Sequence, residues 1–138
     1  MSTRGVVAIK KPDGSYRGIW CQHDSYPDHL GDTLFKSYNT EEKVNELIDH
    51  GDASSIDDTI NECCFYADHG EELSIDEYAS REEIVRKYDD DVFMEYLYLF
   101  EDGKWYIYFQ DSRRRYLKDG QPIEYKLLRE MEPKDEDY

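Results

Sequence analysis

The chain of 138 residues contains 17 lysines and arginines, 33 aspartates and glutamates and three cysteines, and its formal net charge is −16. This length is typical of one domain with its own core, and we predict a single domain over residues 1–138. The odd cysteine count argues against a disulfide framework. No apolar run approaches the length of a membrane-spanning helix and the amino terminus lacks an apolar signal core, so we expect a cytoplasmic protein without a membrane partner.

The first predicted elements are a β-hairpin and a helix. Residues 3–10 and 15–23 favour strands, and Pro12-Asp13-Gly14 between them has the composition of a turn. Pro27 suits the first position of a helix, because its missing N–H costs nothing there. Apolar residues then recur every four positions, which predicts a helix over about 28–38 with one buried stripe, formed by Leu30, Leu34 and Tyr38.

The middle of the chain alternates helix signals with less regular stretches. A second helix begins near Asn39 or Thr40, either of which can act as the N-cap, buries Val44, Leu47 and Ile48, and ends at Gly51. Residues 52–60 have the composition of a loop. Residues 60–67 are short and aromatic enough to form a strand, and a helix is the competing interpretation.

A third helix and a second hairpin follow. Ser80 with Glu83 has the spacing of a capping box and predicts a helix to about residue 88. The acids at 89–91 are then expected in a loop, because negative charge is unfavourable at a helix C-terminus. Residues 92–110 contain two aromatic-rich runs around Glu101-Asp102-Gly103-Lys104, which predicts paired strands, the first of them central.

Side chains alternate between the two faces of a strand. In the first aromatic-rich run, before Glu101, this places Met94, Tyr96, Tyr98 and Phe100 on one face and Phe93, Leu97 and Leu99 on the other. Residues 123–128 favour a last strand or short helix, and an acidic, frayed tail is expected from about residue 130. Together these elements predict an α+β fold: an antiparallel β-sheet built from two hairpins and covered, mainly on one side, by about three short helices.

The chain also resembles a group of small phage and mobile-element proteins of unassigned function, whose shared opening is S-T-R-x, then I-Y-C-H-x-D-G-Y-P, then G-x-x-L. The residues that carry the resemblance are Ser2-Thr3-Arg4-Gly5, Asp13-Gly14, Ile19-Trp20-Cys21, His23-Asp24, Tyr26-Pro27, Leu30-Gly31, Leu34, Tyr38, Gly51-Asp52, Ser54-Ser55, Phe65-Tyr66, Gly70-Glu71, Tyr98-Leu99-Phe100 and Trp105. Ser25 replaces a glycine of that group, and Ala67-Asp68-His69 stands where the group tends to carry arginine. The resemblance implies a phage setting and an anti-defence, anti-CRISPR-like role.

The negative charge is concentrated in one part of the chain. Residues 1–40 hold 5 basic and 4 acidic residues, residues 103–138 hold 8 of each, and residues 41–102 hold 4 basic and 21 acidic residues, a net charge of −17. That equals the charge on roughly 29 Å of duplex DNA, which carries about one charge per 1.7 Å. A solvated face that maintains solubility is the simpler explanation, but the concentration of charge favours mimicry of nucleic acid.

We therefore predict a non-enzymatic inhibitor, without cofactor, of a basic nucleic-acid-binding host protein such as a CRISPR effector or restriction nuclease. Carboxylates would replace phosphates opposite the partner's arginines and lysines. The predicted partner-binding residues are Asp57, Asp58, Glu62, Asp68, Glu71, Glu72, Asp76, Glu77, Asp89, Asp90 and Asp91.

Other function classes have weaker support. The alternative site is a small-molecule or nucleotide-binding pocket, or an enzyme, centred on Cys21, His23, Asp24 and Tyr26, where a strand gives way to a helix. Assembly through exposed tyrosines is a third possibility. Cysteine and histidine spacings do not match a metal site, and although residues 113–115 are all arginine beside aromatic residues, the net charge opposes direct nucleic-acid binding.

Overall fold

The computed structural model describes residues 3–91 and 93–109, which form a mixed seven-stranded sheet and three α-helices. The predicted α+β class is confirmed, and most strand pairs are antiparallel. The strands are β1 (Gly5–Lys10), β2 (Tyr16–Cys21), β3 (Ala53–Ser55), β4 (Cys64–Phe65), β5 (Asp76–Tyr78), β6 (Tyr96–Glu101) and β7 (Lys104–Phe109). The helices are α1 (Asp32–Ser37), preceded by a π-helical turn at Pro27–Gly31, α2 (Glu41–Asp49) and α3 (Arg81–Asp90).

Both predicted hairpins are present. β1 and β2 pair antiparallel from Gly5 opposite Cys21 to Lys10 opposite Tyr16. β6 and β7 pair in the same way along their whole length. The second turn consists of Asp102 and Gly103, with φ of +52° and +82°, as expected for a tight hairpin whose two central residues both need positive φ.

The two hairpins join side by side through a parallel pair, β1 with β6, so the expectation of an antiparallel sheet is wrong at this junction. The sheet order is β4-β3-β2-β1-β6-β7, and β5 also pairs with β2. β6 therefore lies inside the sheet, as predicted. Parallel neighbours need a long crossover connection. Residues 11–95 connect β1 to β6 and contain β2, the helices and the three short strands.

Alternating side chains of the central strands pack into two cores, one on each face of the sheet. On one face, Val7, Ile9, Tyr98 and Phe100 pack with residues of α1 and α2. On the other, Val6, Ala8, Leu97 and Leu99 pack with Ile84 and Tyr88 of α3. Two helices thus cover one face and the third covers the opposite one. The facing predicted for Met94 is wrong: it packs with Leu97 and Leu99, because it precedes the strand and does not follow its alternation.

The helix ends are fixed by side-chain caps. Thr40, one of the two N-caps considered, accepts a hydrogen bond from the Lys43 backbone N–H at 3.2 Å. Ser80 accepts from the Glu83 N–H at 3.1 Å, which confirms the start predicted for α3. The expectation that residues 89–91 form a loop is wrong for the first two, since α3 continues through Asp90. The Tyr88 hydroxyl donates to the Glu95 carbonyl at 2.6 Å and anchors this last turn.

Residues 51–80 differ most from the sequence-based expectation. β3 lies inside the predicted loop, and β5 was not predicted. Residues 60–67 form neither one strand nor one helix, but a 3-10 turn at Ile60–Glu62, the two-residue strand β4 and a second 3-10 turn at Tyr66–His69. Strands of two or three residues are too short to show an alternating pattern. β3 and β5 pair with backbone groups on the open side of β2, and β4 pairs with β3.

Several expectations lie outside the described residues. These are the arginines at 113–115, the element at 123–128 and the acidic tail from about 130. The single domain over residues 1–138 stays a prediction. Among the helices of residues 3–91 and 93–109, each is too short or too polar to cross a membrane.

Candidate partner-binding surface

Residues 51–80, here called the acidic edge, cover the side of β2 that faces away from β1. β5 pairs with β2 at residues 16–18, and β3 pairs with it at Cys21. The acidic edge contains nine carboxylates and no lysine or arginine. Eight of the eleven predicted partner-binding residues lie in it: Asp57, Asp58, Glu62, Asp68, Glu71, Glu72, Asp76 and Glu77.

Backbone hydrogen bonds hold the acidic edge in place beside β2. The Asp52 N–H donates to the Ser74 carbonyl, and the Asp52 carbonyl accepts from the Tyr66 N–H, both at 3.1 Å. The Asp52 carboxylate accepts from the Trp20 N–H of β2 at 3.0 Å. Burial is the main cause that raises the pKa of Asp52, and the negative charge of Asp76 adds to it. Asp52 therefore has a structural role, unlike the exposed acids around it.

The start of the acidic edge rests against the end of α1. The Tyr38 hydroxyl donates to the Asp57 carbonyl at 2.6 Å, and the Ser37 hydroxyl donates to the Asp58 carboxylate at 2.9 Å. The Cys63 thiol lies 3.2 Å from the Asp57 backbone nitrogen, which donates to the sulfur. Burial raises the pKa of Cys63. These contacts fix the backbone and leave the two carboxylates at the surface.

All eight predicted carboxylates of the acidic edge are exposed to solvent. Within the described residues, Glu77 is the one among them that forms an ion pair, with Lys11 at 3.3 Å. Other cations of the described chain pair with acids outside the edge, such as Arg17 with Asp49 at 2.8 Å. The negative charge of the edge is therefore largely uncompensated by the described part of the molecule.

The remaining predicted acids lie at the end of α3. Asp89 and Asp90 belong to the last helical turn, and Asp91 caps it. Asp91 lines the same cavity as Asp76 of β5, so the helix end meets the acidic edge there. The structure thus brings one acid of each predicted group, Asp76 and Asp91, to this cavity, which lies between α3 and the sheet.

The sequence did not predict that the other residues of this cavity would form a site. Trp20, Tyr78 and Lys87 come from β2, β5 and α3, and they meet because β5 pairs with β2 and α3 packs over both. The Lys87 ammonium lies 5.5 Å from the centre of the Tyr78 ring. One feature of the sequence could have predicted part of this cavity. Asp76 and Tyr78 are two residues apart, so on a strand they share a face, and they directly precede the capping box of α3.

The alternative site forms a tight turn. Cys21 is fully buried at the end of β2, and burial raises the pKa of its thiol to about 11, so the thiol is protonated at neutral pH. The His23 ring Nδ1 lies 3.1 Å from the Ser54 carbonyl oxygen. Asp24 has a φ of +57°, and Tyr26 is 43% exposed. The Cys21 thiol is thus buried, whereas the Tyr26 ring faces solvent.

The remaining cysteine and histidine contacts are pairwise. The Cys64 sulfur lies 3.6 Å from the His69 ring Nε2. In the described part of the chain, no three His, Cys, Asp or Glu side chains are grouped closely enough to hold a metal ion.

Comparisons with protein-family models, with curated proteins and with solved structures find no match for this chain.

Proposed function

We propose that this protein is a non-enzymatic inhibitor that binds a basic nucleic-acid-binding protein and occupies its nucleic-acid channel. The observation that carries the proposal is the acidic edge: thirty consecutive residues with nine carboxylates and no lysine or arginine, folded along one side of the sheet. Asp91, at the end of α3, lines the same cavity as Asp76 of the acidic edge.

The net charge of −16 exceeds the magnitude of about 2–8 that suffices for the solubility of a small domain. Self-repulsion among like charges lowers the stability of a fold. A concentrated negative surface that is kept despite this cost favours a function for the charge. A channel that binds a phosphate backbone presents arginines and lysines at close spacing, and exposed carboxylates form the same charge-assisted hydrogen bonds with them as phosphates do. Because the edge carboxylates are mostly without a cation of the described chain, they are available to a partner.

The setting follows from the resemblance to small phage and mobile-element proteins. A phage protein that inactivates host nucleases acts in the bacterial cytoplasm, and CRISPR effectors and restriction nucleases both have basic channels of the required kind. We propose such a defence protein as the partner.

The test is displacement of labelled duplex DNA from purified CRISPR effectors and restriction nucleases, measured by fluorescence anisotropy at about 50 mM and 300 mM salt. We expect displacement at low salt that weakens steeply at high salt, because charge pairs at the rim of an interface are screened. The triple variant Asp68→Lys, Glu71→Lys and Glu72→Lys should weaken displacement by about 100-fold or more, since each reversal replaces an attraction with a repulsion.

The matched control reverses three exposed acids elsewhere, Glu42→Lys, Glu46→Lys and Glu95→Lys, for the same change in net charge. Displacement by the control should stay within about fivefold of the wild type. Equal losses in both triple variants, or displacement that does not depend on salt, would show that the acidic edge is not the binding surface.

A further inference from the structure

The cavity between α3, β2 and β5 has a volume of about 210 Å³ and a mixed aromatic and acidic lining. We call it the aromatic cavity, and its aromatic and charged lining residues are Trp20, Tyr78, Tyr88, Asp76, Asp91 and Lys87. Ring faces are electron-rich and attract cations, and two carboxylates at the same cavity add to that attraction. The lining therefore favours a positively charged group.

The protein already places one cation at this cavity. The Lys87 ammonium lies 5.5 Å from the Tyr78 ring centroid, and it also pairs with the Glu83 carboxylate at 3.3 Å. The Lys87 side chain is 58% exposed, so it is not locked inside the cavity. Lys87 therefore shows that a cation is accommodated on the Tyr78 face, and its pairing with Glu83 leaves it a partner when it moves outward.

The position of the cavity links it to the proposed binding surface. Asp76 belongs to the acidic edge, whereas Asp91 belongs to the end of α3. A partner that covers both groups of acids also covers the cavity between them. Basic channels present many arginines, whose planar guanidinium stacks on aromatic rings and donates two parallel hydrogen bonds to carboxylates, unlike the compact ammonium of lysine.

We propose that the aromatic cavity binds one arginine side chain of the protein partner, with the guanidinium stacked on Tyr78 and paired with Asp76 and Asp91 in place of Lys87. The inference rests on the proposed function, and it names the contact that anchors the partner. A desolvated arginine in an aromatic pocket is a common anchor of protein interfaces, which are otherwise composed of weaker contacts.

The test uses ethylguanidinium as a stand-in for the arginine head, titrated into the full chain and followed by NMR of the Trp20 indole N–H. We expect saturable shifts in the millimolar range. Ethylurea, which has a similar shape but no charge, should bind at least tenfold more weakly. The double variant Asp76→Asn and Asp91→Asn should lower the affinity for ethylguanidinium at least tenfold, because it removes both carboxylates while it keeps their acceptor oxygens.

Two further variants make the test specific. Lys87→Met removes the competing ammonium and should raise the affinity severalfold, a gain that loss of folding cannot imitate. Glu71→Gln with Glu72→Gln removes the same charge as the double variant from exposed positions elsewhere on the edge, and it should leave the affinity within about twofold. Absence of saturable shifts, equal binding of ethylurea, or no loss in the double variant would overturn the proposal.

The failure of this inference can be distinguished from failure of the proposed function. If the triple variant of the acidic edge loses DNA displacement but the Asp76→Asn and Asp91→Asn variant displaces DNA as the wild type does, the arginine anchor is wrong and the inhibitor proposal stands. If ethylguanidinium binds as described but DNA is displaced from none of the nucleases, the cavity is a guanidinium site and the inhibitor proposal is wrong.

Discussion

The paired hairpins and the acidic edge are stabilised in different ways. β1, β2, β6 and β7 each have six residues, and their three ladders run along most of that length. Both faces of β1 and β6 are covered by packed side chains. In the acidic edge, β3 and β5 have three residues and β4 has two, and individual hydrogen bonds, including those of Asp52 and Tyr38, hold the backbone between them.

The hairpins and the acidic edge also differ in how their carboxylates are compensated. Glu101, in the second hairpin, is buried, and it accepts from the Tyr16 hydroxyl at 2.6 Å and lies 3.1 Å from the Arg81 guanidinium. The acids of the edge are exposed, and most lack such a partner within the described residues. Burial requires a compensated charge, whereas an exposed carboxylate is stabilised by water. The hairpins can therefore provide the stability of the fold while the edge carries charge for binding.

Trp105→Ala should produce the largest effect and tests the stability of the hairpin region. The Trp105 ring is buried, packs edge-on against Phe100, and donates from Nε1 to the Leu34 and Tyr38 carbonyls at 3.1 and 2.9 Å. We expect a loss of about 3–5 kcal/mol in the free energy of unfolding, measured with urea, because a large cavity opens in the core. Trp105→Phe, which keeps a ring but not the donor, should lose less. A loss below about 1 kcal/mol for the alanine variant would contradict the view that the hairpins provide the stability of the fold.

Tyr38→Phe should have an intermediate effect and tests how the acidic edge is attached. It removes the 2.6 Å hydrogen bond to the Asp57 carbonyl but keeps the ring in the core. We expect a loss of about 1 kcal/mol, together with faster amide hydrogen exchange around residues 57–63 and unchanged exchange in the hairpins. Tyr26→Phe, at an exposed ring, should change stability by less than about 0.5 kcal/mol. Faster exchange throughout the sheet would show that the two regions are not separable.

Asp52→Asn should have the smallest effect, with the opposite sign. Because the folded state raises the pKa of Asp52, it holds the proton more tightly than the unfolded chain does, so stability falls as pH rises from below about 3.9 through the folded pKa. Asparagine removes this penalty and its amide oxygen can still accept from the Trp20 N–H. We expect a gain below about 1 kcal/mol at pH 7, since solvent screens a half-buried charge, and none near pH 3.

The control for that prediction is Asp68→Asn, which removes one charge from an exposed position of the same edge. It should give a smaller gain at pH 7. A gain in Asp52→Asn that is equal at both pH values would show that desolvation of the carboxylate is not its cause.

The sequence predicted the elements whose signals are local. The hairpin turns need residues that accept positive φ, and φ is positive at Gly14, Asp102 and Gly103. The helix starts at Thr40 and Ser80 depend on a side chain that caps its own backbone three residues on. Periodicity identified the buried stripe of α2. It also identified Leu30, Leu34 and Tyr38 as buried, although they lie in a π-helical turn, in α1 and just after α1 and not in one helix over 28–38.

The acidic edge and its cavity were predicted only in part, for a physical reason. Composition alone identified the concentration of carboxylates, since charge is a property of the residues wherever they lie. Only the tertiary structure decided that β1 and β6 pair in parallel, that β3 and β5 pair with the free side of β2, and that Asp76, Tyr78 and Asp91 meet at one cavity. Strands of two or three residues have no stability or pattern of their own and form only where a neighbouring strand offers hydrogen bonds, and that neighbour is distant in sequence.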